Sequence, residues 1–328
     1  NEGERLLSTA WQIESTDALE PEGEFVDFGG ERFYAIRNVD RMPPFFISVI
    51  SNDDHWLFVS STGGLTAGRV SPETALFPYI TVDNIHDSTH HTGPKTIVKV
   101  PGADGAQFWE PYNREQNALF KTTRNIYKNV LGNKLCFEEI NHDLGLAFRY
   151  AWLSSDEYGF VRHAELQNLS GGELELELLD GLQNILPAGT PRFTQTNSSN
   201  LVDAYKWTEL DPKTGLACFS LYSGITDRAE PCESLKATSV YCLGAKNPVH
   251  LLSSTQLDAF RHGTDIEPEH HRRGIRCAYF CVQNLDLSAG DAGVSACVIA
   301  AAGPTLEHSC TILKRLRDRL SLWALGSA

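Results

Sequence analysis

The chain has 328 residues, with 28 basic and 42 acidic side chains and a formal net charge of −14. At 41% hydrophobic and 21% charged residues its composition is that of a globular protein, which excludes wholesale disorder. The acidic balance excludes nucleic acid and anionic membrane surfaces as expected partners, and there is no run of about 20 apolar residues to span a bilayer.

The opening stretch, NEGERLLSTAWQIESTDALEPEGE, has neither the basic n-region nor the apolar h-region of a signal peptide. Residues 1–24 are therefore expected to be an N-terminal extension of a cytoplasmic protein, and the missing initiator Met suggests processing, a tag or a fragment. The eight cysteines, at 136, 218, 232, 242, 277, 281, 297 and 310, include no C-x-x-C pair, which argues against zinc ribbons and thioredoxin-like sites. Reduced thiols are expected, and the glycosylation-type sequons at Asn168 and Asn197 are then chance matches.

Period-two patterns dominate the chain. Strands are predicted at 45–51, 55–61, 95–100, 134–140 and 159–168. Between the last two, Leu146, Phe148, Tyr150 and Trp152 share one strand face. After the Gly171-Gly172 turn, Leu174, Leu176 and Leu178 alternate with Glu173, Glu175 and Glu177, as in a half-buried strand with an acidic outer face. Further strands are predicted at 215–223, 235–243, 249–254, 276–284 and 293–301. The run Cys277–Val282 is apolar on both faces, so that strand should be covered from both sides. More than ten strands with almost no helix predict an all-β fold, a single large β-sandwich over residues 25–303. The exception is 304–328, where Leu306, Cys310, Leu313, Leu320 and Trp323 recur at helical spacing.

Residues with chemical potential cluster between 56 and 114. Gly63, Gly64 and Gly68 fit no phosphate-loop pattern and read as tight turns. Arg69 beside them is a candidate clamp for a carboxylate or phosphate. Asp83, His86, Asp87, His90 and His91 would share a face only on a helix, and their flanks favour a polar loop, so no metal site and no cofactor are expected. Trp109, Glu110, Tyr112 and Arg114 combine aromatic faces with fork-like polar groups, the pairing that a pyranose ring selects. The alternative is that Trp109 belongs to the core. Neighbouring carboxylates such as Glu138-Glu139 do not make a glycosidase pair, which must face across a substrate at about 5–10 Å. There is no G-x-S-x-G elbow and no H-E-x-x-H, so no catalytic residue is assigned.

The order STGGLTAGR, TALFPYITVDNI, TGPKT and FWEPY resembles the N-terminal β-domain of the cellobiose and chitobiose phosphorylases, glycoside hydrolase family 94 and its relatives. The stretch from Ile140 to Gly181, with Leu166, Asn168 and Ser170 in its turn, is similar to the family's next segment, and the terminal helix resembles its linker helix. The resemblance implies a β-super-sandwich of galactose-mutarotase-like outline, followed by a helix at 304–328 that leads to an (α/α)6 barrel missing from this sequence. It implies that the catalytic groups lie in that barrel, and that sandwich loops border a carbohydrate site, often at a homodimer interface. That role would fall to the loops around Arg69, Asp83 and Trp109. The polar insertion 190–215 departs from the pattern and suggests a different substrate.

The leading expectation is thus the non-catalytic sandwich of a larger glycoside phosphorylase or hydrolase. The first alternative is a stand-alone sugar-binding or mutarotase-like protein, for which His163 and Glu165 on one strand face would supply half of an acid/base set. The second is a purely architectural domain.

Overall fold

The computed structural model describes residues 20–300 apart from 29, 103–104, 156–157 and 224–235, and the side chains of 294–300 fall outside it. The expected helix at 304–328 lies outside the described residues.

The fold is an all-β sandwich built from antiparallel sheets. In chain order the strands are β1 (Glu22–Phe28), β2 (Glu31–Arg37), β3 (Phe46–Val49), β4 (His55–Ser60), β5 (Leu65–Arg69), β6 (Gly93–Val100) and β7 (Gln107–Trp109). Next come β8 (Thr122–Asn129), β9 (Leu135–Asn141), β10 (Leu146–Ser155), β11 (Gly159–Asn168), β12 (Leu174–Ile185) and β13 (Lys206–Asp211). The series ends with β14 (Leu216–Leu221), β15 (Ala237–Leu243), β16 (Val249–Leu251), β17 (His271–Arg273), β18 (Cys277–Leu287) and β19 (Ala292–Ala300).

An 11-stranded sheet runs β1-β2-β8-β9-β10-β11-β19-β15-β14-β13-β17, a 5-stranded sheet β16-β18-β12-β6-β7, and a 3-stranded sheet β3-β4-β5. The predicted face of β10, Leu146, Phe148, Tyr150 and Trp152, meets Leu176, Leu178 and Leu182 of β12 in one core between the two larger sheets. The doubly apolar strand is covered from both sides as expected. Tyr279 and Cys281 face that core, whereas Ala278, Phe280 and Val282 face a second cluster under the short helix α3 (Leu257–Arg261).

The periodicity does not predict β1, β2, β5, β7, β8, β13 or β17. β8, TTRNIYKN, hides its alternation because Arg124 and Asn125 are both buried, each bonded by a glutamate of β9. The polar insertion folds into α1 (Arg192–Asn197), α2 (Ser199–Tyr205) and β13. Lys206 is buried there against Asp203, at 2.7 Å. Asn168 is fully buried, its Nδ2 donating to the carbonyls of Gly172 and Leu287, so that sequon is inaccessible in the folded chain. The five described cysteines are free.

Candidate functional site

Three segments that are distant in sequence converge on one cleft. Thr62 and Gly63 come from the β4–β5 turn, Thr89 and His90 from the 3-10 helix Ile85–His90, and Asn113 from the loop after β7. Lys95 and Thr96 of β6 form a side wall, and Phe148 and Tyr150 of β10 form the floor. The cavity they enclose is about 30 Å³, room for about one or two waters.

The floor is held rigidly. Tyr150 stacks on Phe137 with ring centroids 4.8 Å apart and an interplanar angle of 8°, and Tyr112 meets both rings edge-on. Below it, the Arg162 guanidinium sits 4.9 Å from the Tyr150 ring centre. Arg162 is fixed by a bidentate pair with Asp180, whose Oδ1 also accepts from the Thr96 hydroxyl at 2.6 Å.

The wall carrying Tyr112 is organised by Glu139. This carboxylate accepts from Trp109 Nε1 at 2.9 Å, from the Tyr112 backbone N–H at 2.7 Å and from Arg124 Nε at 2.6 Å. Tyr112 takes φ 66°, a left-handed conformation that is costly for a bulky residue. In this pose its hydroxyl donates to the carbonyls of Asn125 and Glu138.

Of the substrate-binding candidates Arg69, Asp83, Trp109, Glu110, Tyr112 and Arg114, only Tyr112 lines the cleft, together with Gly63 and with His90 of the histidine-rich segment. The indole of Trp109 is fully buried and is not a stacking surface. Sequence reading alone cannot see the acceptor, Glu139, that makes such burial tolerable for its N–H. Glu110 is likewise buried rather than free to bind a hydroxyl, paired with Lys95 at 2.6 Å and Arg261 at 2.5 Å. Burial raises its pKa, but the Arg261 hydrogen bond and Lys95 outweigh that and leave it lowered. Arg69 ends β5 opposite His55, outside the cleft. Asp83 is exposed and accepts from Asn84, and its pKa is lowered first by the Thr81 hydroxyl. Arg114 is exposed at the start of a second 3-10 helix. Thr62, Thr89, Lys95, Asn113 and Tyr150 line the cleft without being sequence candidates, and the aromatic inner face of β10 is the one signal that points there.

The histidine-rich segment does form a helix, though a 3-10 one. Among the described residues no group of three or more His, Cys, Asp or Glu is placed to hold a metal. His86 Nδ1 instead lies 2.7 Å from Ser60 Oγ, hydrogen-bonded to it. Ser60 is fully buried, so the pair staples the helix to β4 and does not present a nucleophile.

His163 and Glu165 do share the outer face of the large sheet. Glu165 accepts from Arg149 Nη1 at 3.0 Å, and Arg149 Nε donates to Glu138 at 2.6 Å. Burial pushes the Glu138 carboxyl up, but hydrogen bonds from Tyr127, Asn125 and Arg149 bring it below the usual range, so it stands as an anion.

Neither a protein-family model nor a curated protein matches this sequence. Among solved structures the chain is similar to a polysaccharide lyase (9% identity, TM-score 0.38, covering 78% of this chain and 32% of that one). It is also similar to a putative aldose 1-epimerase from Escherichia coli K12 (9% identity, TM-score 0.40, covering 79% of this chain and 99% of that one). A third likeness is to the 4-α-glucanotransferase of Thermococcus litoralis (8% identity, TM-score 0.29, covering 86% of this chain and 40% of that one). The chain thus spans about a third of the length of the lyase. All three are named for carbohydrate chemistry, but at these identities and TM-scores none of the likenesses carries an argument about activity. Among the described residues no helix is long and apolar enough to cross a membrane.

Proposed function

We propose that this chain is the sandwich domain of a carbohydrate-active enzyme, of the glycoside phosphorylase or hydrolase kind that glycoside hydrolase family 94 exemplifies. In this reading it borders a sugar site and leaves the bond-breaking chemistry to another domain. The observation that carries the reading is the meeting of the STGG turn, the end of TGPKT and the end of FWEPY around one polar cleft with an aromatic floor.

Two properties of the cleft favour bordering over catalysis. Among the described residues its lining contains hydroxyls, an imidazole, an ammonium and an amide, but no carboxylate, so it lacks a glycosidase acid/base pair. At about 30 Å³ it takes a hydroxyl-sized group, so a sugar ring would lie across its mouth and need a second wall.

The test is calorimetric titration of the 328-residue chain with cellobiose and chitobiose, alongside Asn113→Ala and Thr89→Val variants. Weak binding that both variants reduce is expected, with no release of sugar or sugar phosphate. Turnover by the chain itself would overturn the assignment, as would absence of binding to every disaccharide tried.

A second reading, a mutarotase-like activity, rests on exposed His163 beside Glu165 on an open sheet face. Polarimetry on fresh α-glucose and α-galactose decides it. No acceleration above buffer removes the epimerase, and the Arg149 ion pair on Glu165 favours that outcome.

A further inference from the structure

A second cavity, of about 310 Å³, opens on the outer face of the 5-stranded sheet, on the side that carries α3. It is about ten times the size of the cleft and reaches the lower end of the range for small-molecule sites, about 300 Å³. Its apolar part is Val249 and Val282 from neighbouring strands, with Phe260 of α3 and Ile266 beyond it. The backbone fixes this surface, because β16 and β18 pair in register through Val249 and Val282.

The polar part is equally specific. Lys99 of β6 and Glu177 of β12 are register partners and form an ion pair at 2.9 Å, each half-buried at the cavity wall. The contact uses one of the three ammonium donors and one carboxylate oxygen, which leaves donors and an acceptor side by side. Asn284, the cross-strand partner of Glu177, and Asn247 add two exposed amides, each both donor and acceptor.

We propose that this cavity is a binding site for a neutral polyhydroxylated molecule of monosaccharide size. The lining argues against an anion and against a wholly apolar ligand. An anion finds the Lys99 ammonium already neutralised and Asp265 at the same cavity, on a chain of net charge −14. A wholly apolar ligand would strip water from the ion pair and both amides without replacing their hydrogen bonds. Vicinal hydroxyls donate and accept as the Lys99–Glu177 fork and the amides require, while the C–H face of a ring covers the valines. The site lies on different residues from the cleft, so this inference does not depend on the sugar-bordering role.

The experiment is saturation-transfer NMR and calorimetry on the 328-residue chain with D-glucose and D-galactose, using D-glucuronate and putrescine as charged controls. Variants are Asn284→Trp, which fills the cavity, and Glu177→Ala, which removes the acceptor. Asn284 is exposed and Glu177 half-buried at the cavity rim, so both variants should fold, as circular dichroism will confirm. Saturable binding of a neutral sugar is expected, weakened at least about tenfold by either variant and unchanged by Asn113→Ala. No saturable binding of either neutral sugar overturns the proposal, and so does stronger binding of glucuronate or putrescine. Loss on Asn113→Ala alone also overturns it and assigns the binding to the cleft, whereas loss of disaccharide binding there leaves this site untouched.

Discussion

Arg162 of β11 and Asp180 of β12 join the two large sheets through a bidentate ion pair at 2.8 and 2.9 Å, with side chains 0% and 3% exposed. Because the guanidinium also underlies Tyr150, one buried contact fixes both the spacing of the sandwich and the floor of the cleft.

Removing one partner strands a charge in the core. Arg162→Met is expected to cost about 3–5 kcal/mol in urea unfolding. The double variant Arg162→Met/Asp180→Leu should recover most of that loss, because both charges leave together. A double variant less stable than Arg162→Met would show that the loss comes from packing around the two side chains and not from the stranded charge.

Tyr112→Phe deletes the hydroxyl that donates to the carbonyls of Asn125 and Glu138. A loss of about 1–2 kcal/mol is expected, the scale of a buried hydrogen bond with its acceptors left unmet. Equal stability of Tyr112→Phe and wild type in chemical denaturation would refute this role.

Acid should weaken the fold in two stages. Burial lowers the pKa of His55 and His250 from 6.5, so the unfolded chain protonates first and stability falls as pH drops through about 6.5. Glu110, Glu138 and Glu269 are lowered from 4.5, so their contribution is present above that value and disappears as pH falls through the lower folded values. His250→Gln should shrink the first stage and leave the second intact. Urea midpoints that stay flat from about pH 7.5 to 5.5 would contradict the first stage.

Gly64→Ala tests the seat of the 3-10 helix. An added Cβ would collide with the Ile85 carbonyl oxygen and lie 2.6 Å from Ser88 Oγ. The helix must shift, at a cost of about 1–3 kcal/mol, and the Ser60–His86 hydrogen bond should weaken with it. An unchanged His86 imidazole resonance in the variant would mean that the helix accommodates the methyl group without moving.

The parts of the fold legible in the sequence are those where buried apolar residues mostly alternate with more exposed ones. The alternation places β11 at its observed bounds, 159–168, because Ala164 and Leu166 are buried between more exposed neighbours, and the buried Arg162 on the same face does not break the period. The pattern fails where charge is buried in pairs. Arg124 and Glu139 look like surface residues until register places them in contact, and Lys206 and Asp203 mislead in the same way. β5, LTAGR, carries too little side chain to announce a strand, although four of its five residues are buried. The cleft stays hidden for a related reason. Its floor is core by composition, and only the meeting of three segments distant in sequence leaves a cavity beside Tyr150.

The place of β19 in the large sheet has a consequence for synthesis. It is the last of the described strands, yet it sits between β11 and β15 and pairs with both. On the ribosome, the β1-β2-β8-β9-β10-β11 group and the β15-β14-β13-β17 group must wait as two separate half-sheets with open edges until residues 292–300 emerge. Over that interval the nascent chain exposes strand edges that other chains can pair with, which makes slowed translation or chaperone depletion the conditions most damaging to its yield.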